Sequence, residues 1–279
     1  MSEIPVRLPN DGTTLPAIGL GTGGLAGETA IDAVVAGLRA GYRLVDSAIR
    51  YRNEAEVGEA IRRAGVPREE IVVASKLPGS HHAYDRAVEA VHGSLREFRL
   101  EYLDLYLIHW PNPRRGLFIE AWQALVELRT QGLLRSIGVC NFLPEHLDAV
   151  TAATGVVPAV NQIELHPYFP QHELRAATIE RGVVPQAWAP LGRASGMRDD
   201  PALTAIASDL GCTPAQAVLA WHRQLGAIPI PMSTNPARQA ENLGSLEVEL
   251  SHDQLQALSG LGRPDGRVSG VDPLVYEDV

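Results

Sequence analysis

Residues 17–27 read AIGLGTGGLAG, and the fold turns on how these glycines are read. Gly19, Gly21 and Gly24 spell G-x-G-x-x-G, and Asp46 follows roughly twenty positions on, the spacing of a dinucleotide fingerprint in a doubly wound sheet. That fingerprint needs a full strand before its first glycine and a helix starting at its third. Here Pro16 leaves only Ala17 and Ile18 ahead of Gly19, and the next helical pattern starts near Glu28. The glycines therefore fall inside and just after a short strand, where a missing Cβ lets backbone approach a neighbour or ligand closely. The match to the fingerprint is read as fortuitous, although a nucleotide can still bind nearby.

Working outward, eight short apolar runs follow one another: AIGLGT (17–22), YRLVDSA (42–48), IVVASKL (71–77), YLDLYLIHW (102–110), LRSIGVC (134–140), PAVNQIE (158–164), VVPQAWA (183–189) and AIPIPM (227–232). Amphipathic stretches such as TAIDAVVAGLRAG and YDRAVEAVHGSLREF lie between them, with apolar residues three and four apart. Gly41, Gly65, Gly132 and Gly182 stand where helix C-caps belong, and Thr213-Pro214-Ala215-Gln216 is a capping box with Pro at the first helical position. No linker or low-complexity segment interrupts the chain. This pattern predicts an α/β fold over residues 1–279: a single (β/α)₈ TIM barrel with a C-terminal helix plus loop. VRLPNDGTTLP ahead of the first strand predicts an N-terminal β-hairpin that plugs the barrel bottom.

Composition excludes several classes. Net charge is 24 − 33 = −9 with no basic patch, so neither nucleic acid nor an anionic membrane is an expected partner. No apolar run approaches the roughly twenty residues of a membrane span, and MSEIPVRLPN lacks the basic start and apolar core of a signal peptide. Cys140 and Cys212 form neither a metal-type pair nor a disulfide framework, so a monomer in the reducing cytoplasm is expected. Of the 24 basic residues 23 are arginine, and the only lysine is Lys76. A chain that uses Arg wherever a surface cation serves keeps Lys where a compact, tunable ammonium is needed, or retains it by chance.

In a barrel the C-terminal ends of the strands carry chemistry. Asp46 ends the second strand and Tyr51 lies in its loop; Lys76 ends the third strand and His109 the fourth. Singly, each has an ordinary structural reading as a cap, a loop surface residue, a survivor of the Arg bias or a buried histidine. Together, at neighbouring functional positions, they suit carbonyl reduction. An ammonium beside a phenol makes it a better proton donor, a carboxylate holds the ammonium, and a histidine orients the carbonyl oxygen. No side chain supplies hydride, so a nicotinamide cofactor is implied. The other histidines are read as ordinary, and His166 in NQIELHP as structural.

The runs VDSAIRYRNE (45–54), SKL (75–77), YLDLYLIHWP (102–111), IGVCNF (137–142), PAVNQIELHP (158–167) and IPMSTNPARQAEN (230–242) resemble the aldo-keto reductase superfamily over nearly the whole chain. The resemblance implies reduction of aldehydes or ketones, small-molecule carbonyl substrates, with NADPH preferred and NADH also used. It implies Tyr51 as general acid, Lys76 lowering its pKa, Asp46 paired with Lys76, and His109 orienting the substrate carbonyl beside Trp110. It implies Asn141 and Gln162 on the nicotinamide carboxamide, Trp188 stacked on the ring where many members carry Tyr, and Thr22, Asp46 and Leu191 along the groove. Ser233, Thr234 and Arg238 would meet the NADPH 2′-phosphate, with Glu241 and Asn242 of the same motif also on the cofactor.

Asn235-Pro236 reads as an N-cap and first helical residue, so free backbone N–H groups are expected to face that phosphate. Three departures stand out. Cys140 replaces a common Ser, Gly23 replaces a bulky aromatic, and Met232 replaces the lysine of an I-P-K-S motif. Cys140 is expected beside the nicotinamide and shielded by bound cofactor. The short loop WPNPRRG is expected to leave an open pocket. An NADPH-binding regulatory subunit of the same fold is the alternative. A metal-dependent barrel hydrolase would need convergent ligands, and the strand ends offer only His109 and Asp46, so no metal is expected.

Overall fold

The computed structural model describes residues 5–268 and 270–278. Eight parallel strands form one sheet: β3 (Leu20–Gly21), β4 (Leu44–Asp46), β5 (Val72–Leu77), β6 (Leu103–Ile108), β7 (Leu134–Cys140), β8 (Val160–Glu164), β9 (Val184–Trp188) and β10 (Ile228–Pro229), each paired with the next in chain order. A hairpin of β1 (Val6–Arg7) and β2 (Leu15–Pro16) precedes them. Helices α1 (Gly27–Ala40), α2 (Glu54–Ala64), α3 (Tyr84–Phe98), α4 (Phe118–Thr130), α5 (Pro144–Thr154) and α6 (His172–Glu180) connect successive strands. The helices α7 (Pro201–Asp209), α8 (Pro214–Gln224), α9 (Pro236–Gly244) and α10 (His252–Ser259) complete the chain before its final loop. The expected strand order and the caps at Thr213 and Asn235 are all present. No helix among the described residues is long and apolar enough to cross a membrane.

The sheet closes between β3 and β10. Gly19 N–H donates to Pro229 O at 3.0 Å and Gly21 N–H to Pro231 O at 3.0 Å. Proline has no N–H to return, so these seam bonds run one way. On the other edge Ile230 N–H donates to Ala187 O at 3.0 Å. The glycines make the close approach of first and last strands possible. A Cβ on Gly19 would lie 2.6 Å from Ile230 Cδ1 and 2.9 Å from Leu44 Cδ2; one on Gly21 would lie 3.2 Å from Ile230 O. The G-x-G at 19–21 thus serves barrel closure.

Strand periodicity then sorts the side chains. On β6, Tyr106 and Ile108 pack outward under the helices, while Leu105 and Leu107 fill the barrel. The same alternation turns Leu44, Ala74 and Val160 inward, and two residues later along each strand stand Asp46, Lys76 and Gln162. The interior is therefore apolar below and polar at the top. Leu15 of the hairpin joins the inner cluster at 1% exposure. Asn10 Nδ2 donates to Pro158 O and Gly182 O, and Ser136 Oγ donates to Asp11 at 2.6 Å, so the hairpin caps the strands' N-terminal ends as expected.

Past α10 the chain returns across the mouth. Arg263 N–H donates to Tyr168 O, Val268 N–H to Glu164, and the Trp110 and Tyr276 rings meet edge-on at 4.6 Å. The pocket is not simply open, because this tail lies over one side of it.

Gly19→Ala should destabilise the fold by about 1–3 kcal/mol through overpacking at the seam. Urea denaturation checks this. Unchanged stability with weakened dinucleotide binding would restore the fingerprint reading.

Candidate active site

Lys76 is 0% exposed, and its ammonium has three donors with three acceptors around them. Nζ lies 2.5 Å from Asp46 Oδ1, 2.9 Å from Ser47 O and 3.4 Å from Tyr51 Oη. An unpaired ammonium at this depth would cost several kcal/mol. Burial works to strip its proton, but Asp46 first, then Tyr51, hold it well above the ordinary lysine range. Asp46 is fixed in turn: Gln162 Nε2 donates to its Oδ2 at 2.9 Å, and Thr22 Oγ1 donates to its backbone carbonyl at 2.9 Å. Tyr51 ends a 3₁₀ turn (Ile49–Tyr51) directly after β4, closed by Arg52 in a left-handed conformation at φ 55°. Burial raises the Tyr51 phenol above its ordinary value and Asp46 adds to that, while Lys76 pulls it down. The expected lowering by Lys76 is one contribution among these, and burial outweighs it.

His109 follows β6, its N–H donating to Leu77 O at 2.9 Å, and its ring stands edge-on to Tyr51 with centroids 5.9 Å apart. Nδ1 is sealed from solvent, so Nε2 is the ring nitrogen left to the cavity. That cavity, about 830 Å³, is lined by Asp46, Tyr51, His109 and Trp110 on one side and by Cys140, Asn141, Gln162, Trp188 and Leu191 on the other. Asp46, Tyr51 and His109 thus face one space, and Lys76 stands buried behind Asp46 and Tyr51. Among the described residues no group of three or more His, Cys, Asp or Glu is placed to hold a metal ion. The arrangement is a phenol backed by a charged ammonium, beside an imidazole, facing a pocket large enough for a cofactor ring and a small substrate.

The aldo/keto reductase family model matches residues 17–263. The chain is 46% identical to 2,5-diketo-D-gluconic acid reductase B of Corynebacterium sp., covering all of both proteins. It superposes with a TM-score of 0.94 on a mutant of Gox0644 in complex with NADPH, at 41% identity over 99% of this chain and 100% of that one. It superposes with a TM-score of 0.90 on the Bombyx mori aldo-keto reductase in complex with NADP, at 34% identity over 100% of this chain and 99% of that one. The chain belongs to the aldo/keto reductase family. As a member it is an oxidoreductase that interconverts carbonyl and alcohol groups with a nicotinamide cofactor.

The residues that the family resemblance puts on the cofactor are not all brought to the cavity. Trp188 is held there by Nε1 donating to Asn141 Oδ1 at 2.8 Å, and Asn141 Nδ2 donates to His109 O at 3.1 Å from a backbone at φ 61°. Gln162 spends its amide nitrogen on Asp46 and on Gln186 Oε1 at 3.1 Å, which leaves its carbonyl oxygen to present. Leu191 lines the cavity. Thr22 is fully buried with its hydroxyl spent on the Asp46 carbonyl, so it braces Asp46 rather than facing the groove. Glu241 accepts from Thr213 Oγ1 at 2.7 Å, and Asn242 is buried beside Tyr42; neither lines the cavity.

The Arg238 side chain is exposed and its guanidinium has no partner among the described residues; Thr234 is exposed and Ser233 half-buried beside it. The free N–H groups expected at the start of α9 are not free. Asn235 Oδ1 accepts from Ala237 N–H at 2.9 Å and Arg238 N–H at 3.4 Å, because a good N-cap satisfies the donors an anion would otherwise use.

Among the other lining residues Gly23 was marked in the sequence as a departure from the family, whereas those of the tail had no signal there. Gly23 stacks against Tyr51, where a Cβ would lie 3.4 Å from Cζ, and the tail contributes Val268 and Val271 to the cavity. Asp278, at the far end of that tail, is 1% exposed and lies against His109. Nothing in a turn-rich tail without periodicity marks such a contact. Cys140 is 1% exposed, and burial pushes its thiol well above the ordinary range. Bound cofactor then has little reactivity left to suppress. A thiol reagent on the native protein should label the partly exposed Cys212 and leave Cys140 unlabelled with or without cofactor; labelling of Cys140 as fast as Cys212 would contradict this placement.

Proposed function

We propose that this aldo/keto reductase uses NADPH to reduce small aldehydes and ketones, with Tyr51 as proton donor. The observation that carries the reading is the fully buried Lys76 ammonium held between Asp46 and Tyr51, which line the cavity in front of it. When bound, the nicotinamide supplies hydride to the carbonyl carbon. Trp188, clamped by Asn141, offers a fixed face for the ring, and Asn141 with the Gln162 carbonyl offers hydrogen bonds to its amide. His109 Nε2 and Tyr51 Oη meet the carbonyl oxygen from two sides, which fixes the carbon toward the ring. Tyr51 gives up its proton as the oxygen gains charge, and the nearby ammonium stabilises the phenolate. The relative named for 2,5-diketo-D-gluconic acid makes a small, polar, acidic carbonyl compound the first substrate to try. A single-domain monomer in the cytoplasm suits a chain with two free cysteines.

Tyr51→Phe should lower carbonyl reduction by roughly 10²- to 10⁴-fold with NADPH binding retained. Lys76→Arg should fail comparably, because a planar guanidinium does not fit a pocket that satisfies three donors on one nitrogen. Steady-state kinetics with a panel of aldehydes, together with cofactor fluorescence titration, check both. Normal turnover by either variant would remove the assignment.

Cofactor choice follows from charge. Met232, half exposed at the cavity, brings no cation, so the 2′-phosphate is left to Arg238 with the Ser233 and Thr234 hydroxyls. A hydrogen bond to a charged group contributes roughly 1.5–3 kcal/mol, or about 10- to 100-fold in affinity. NADPH should be preferred over NADH by a modest margin, with measurable NADH activity. Arg238→Ala should bring the two close to parity and Met232→Lys should tighten NADPH alone. Equal weakening of both cofactors by Arg238→Ala would place the phosphate elsewhere.

A further inference from the structure

The final loop ends on a contact that the reaction above leaves unused. Asp278 is a buried carboxylate at 1% exposure, carried to the catalytic wall by the C-terminal tail. Its Oδ1 pairs with Arg50 Nη1, beside Tyr51 in the chain, and its Oδ2 lies 3.1 Å from His109 Nδ1. Nδ1 and Oδ2 are both sealed from solvent, and neither has a well-aligned hydrogen bond to any described residue. Each is therefore within reach to satisfy the other, through an ion pair or a bent hydrogen bond.

The seat is built for the tail. Asn112 Nδ2 donates to the Asp278 backbone carbonyl at 3.3 Å, and Arg114 N–H donates to Glu277 at 2.8 Å. A Cβ on Gly79 would lie 2.4 Å from that same carbonyl, so a glycine makes the room.

A carboxylate only accepts hydrogen bonds, so in this contact Nδ1 carries the proton. A neutral ring of that tautomer turns a bare Nε2 to the cavity. It can donate to a carbonyl oxygen only after taking a second proton. We propose that Asp278 is a positioning residue that fixes His109 as the Nδ1–H tautomer and supports the second proton at Nε2, through which the ring holds the carbonyl oxygen. This rests on the reading of His109 as the group that meets the carbonyl.

The surroundings act on that second proton in both directions, and Asp278 is the largest contribution in its favour. Burial pushes His109 below the ordinary imidazole range; Asp278 and Asp46 pull it back, and Lys76 pushes it further down. Burial works to raise Asp278, but His109 and Arg50 hold it below the ordinary carboxylate value. The other groups facing this corner titrate elsewhere. Tyr51 and Lys76 are raised above their ordinary values, and burial pushes His82 down to about 4.

Removing the negative charge at 278 should weaken the imidazolium, so the alkaline limb of kcat/KM for reduction should move to lower pH. An opposite charge within about 4–6 Å shifts a titration by one unit or more, so Asp278→Asn should lose roughly tenfold on that limb and little on the acid plateau. Asp278→Glu should restore most of the profile, and NADPH affinity should not change in either. The independent readout is the ¹⁵N-histidine spectrum of the wild-type protein, in which neutral His109 should be the Nδ1–H tautomer. An unshifted limb in a folded Asp278→Asn protein would overturn the proposal. So would a neutral His109 protonated at Nε2, which decides the matter even if the variant fails to fold. Failure of wild type to reduce any carbonyl would count against the function, and the tautomer would still report on Asp278.

Discussion

One buried charge organises this molecule. Lys76 sits at 0% exposure on the inner wall of the barrel, and everything within reach of its ammonium answers it. Asp46 supplies the counter-charge, Ser47 a carbonyl and Tyr51 a hydroxyl. Gln162 and Thr22 then hold Asp46, and Gln186 holds Gln162. Breaking such a pair from either side leaves an uncompensated ion in a low-dielectric interior, which typically costs about 3–5 kcal/mol. The same requirement that keeps the fold intact keeps a phenol within reach of a permanent positive charge. Stability and reactivity share these atoms.

That charge depends on strand geometry. Two-residue periodicity places Ala74 and Lys76, Leu44 and Asp46, and Val160 and Gln162 on the same inward face, apolar below and polar above. The faces coincide only if the barrel closes at a fixed stagger, and closure depends on Gly19 and Gly21 lying against Ile230 and the carbonyls of Pro229 and Pro231. The tail completes the enclosure from the opposite end of the chain. It brings Val268 and Val271 over the cavity and Asp278 against His109.

The parts legible in the sequence are those set by local rules. Strand runs, helix caps at Thr213 and Asn235, and the hairpin at Asn10-Asp11-Gly12 follow from residues a few positions apart. The Asp46, Tyr51, Lys76 and His109 cluster was legible because each stands at a strand end or in the loop directly after one, and a barrel brings these together. What sequence did not show depends on where a side chain turns. Thr22 stands where a groove residue belongs, but its hydroxyl turns to the Asp46 carbonyl. The N–H groups in the first turn of α9 are expected to be available, but Asn235 accepts from two of them. Asp278 is separated from His109 by most of the chain, and an irregular loop carries no period from which to infer its path.

The central claim is that the Lys76 ammonium tunes the Tyr51 phenol. The most direct measurement is the pH titration of Tyr51 in protein labelled with ¹³C at tyrosine Cζ, compared between wild type and Lys76→Met. With the ammonium in place the phenol should ionise at lower pH than without it, because burial and Asp46 would then act unopposed. Identical Tyr51 titrations in the two proteins would contradict the claim.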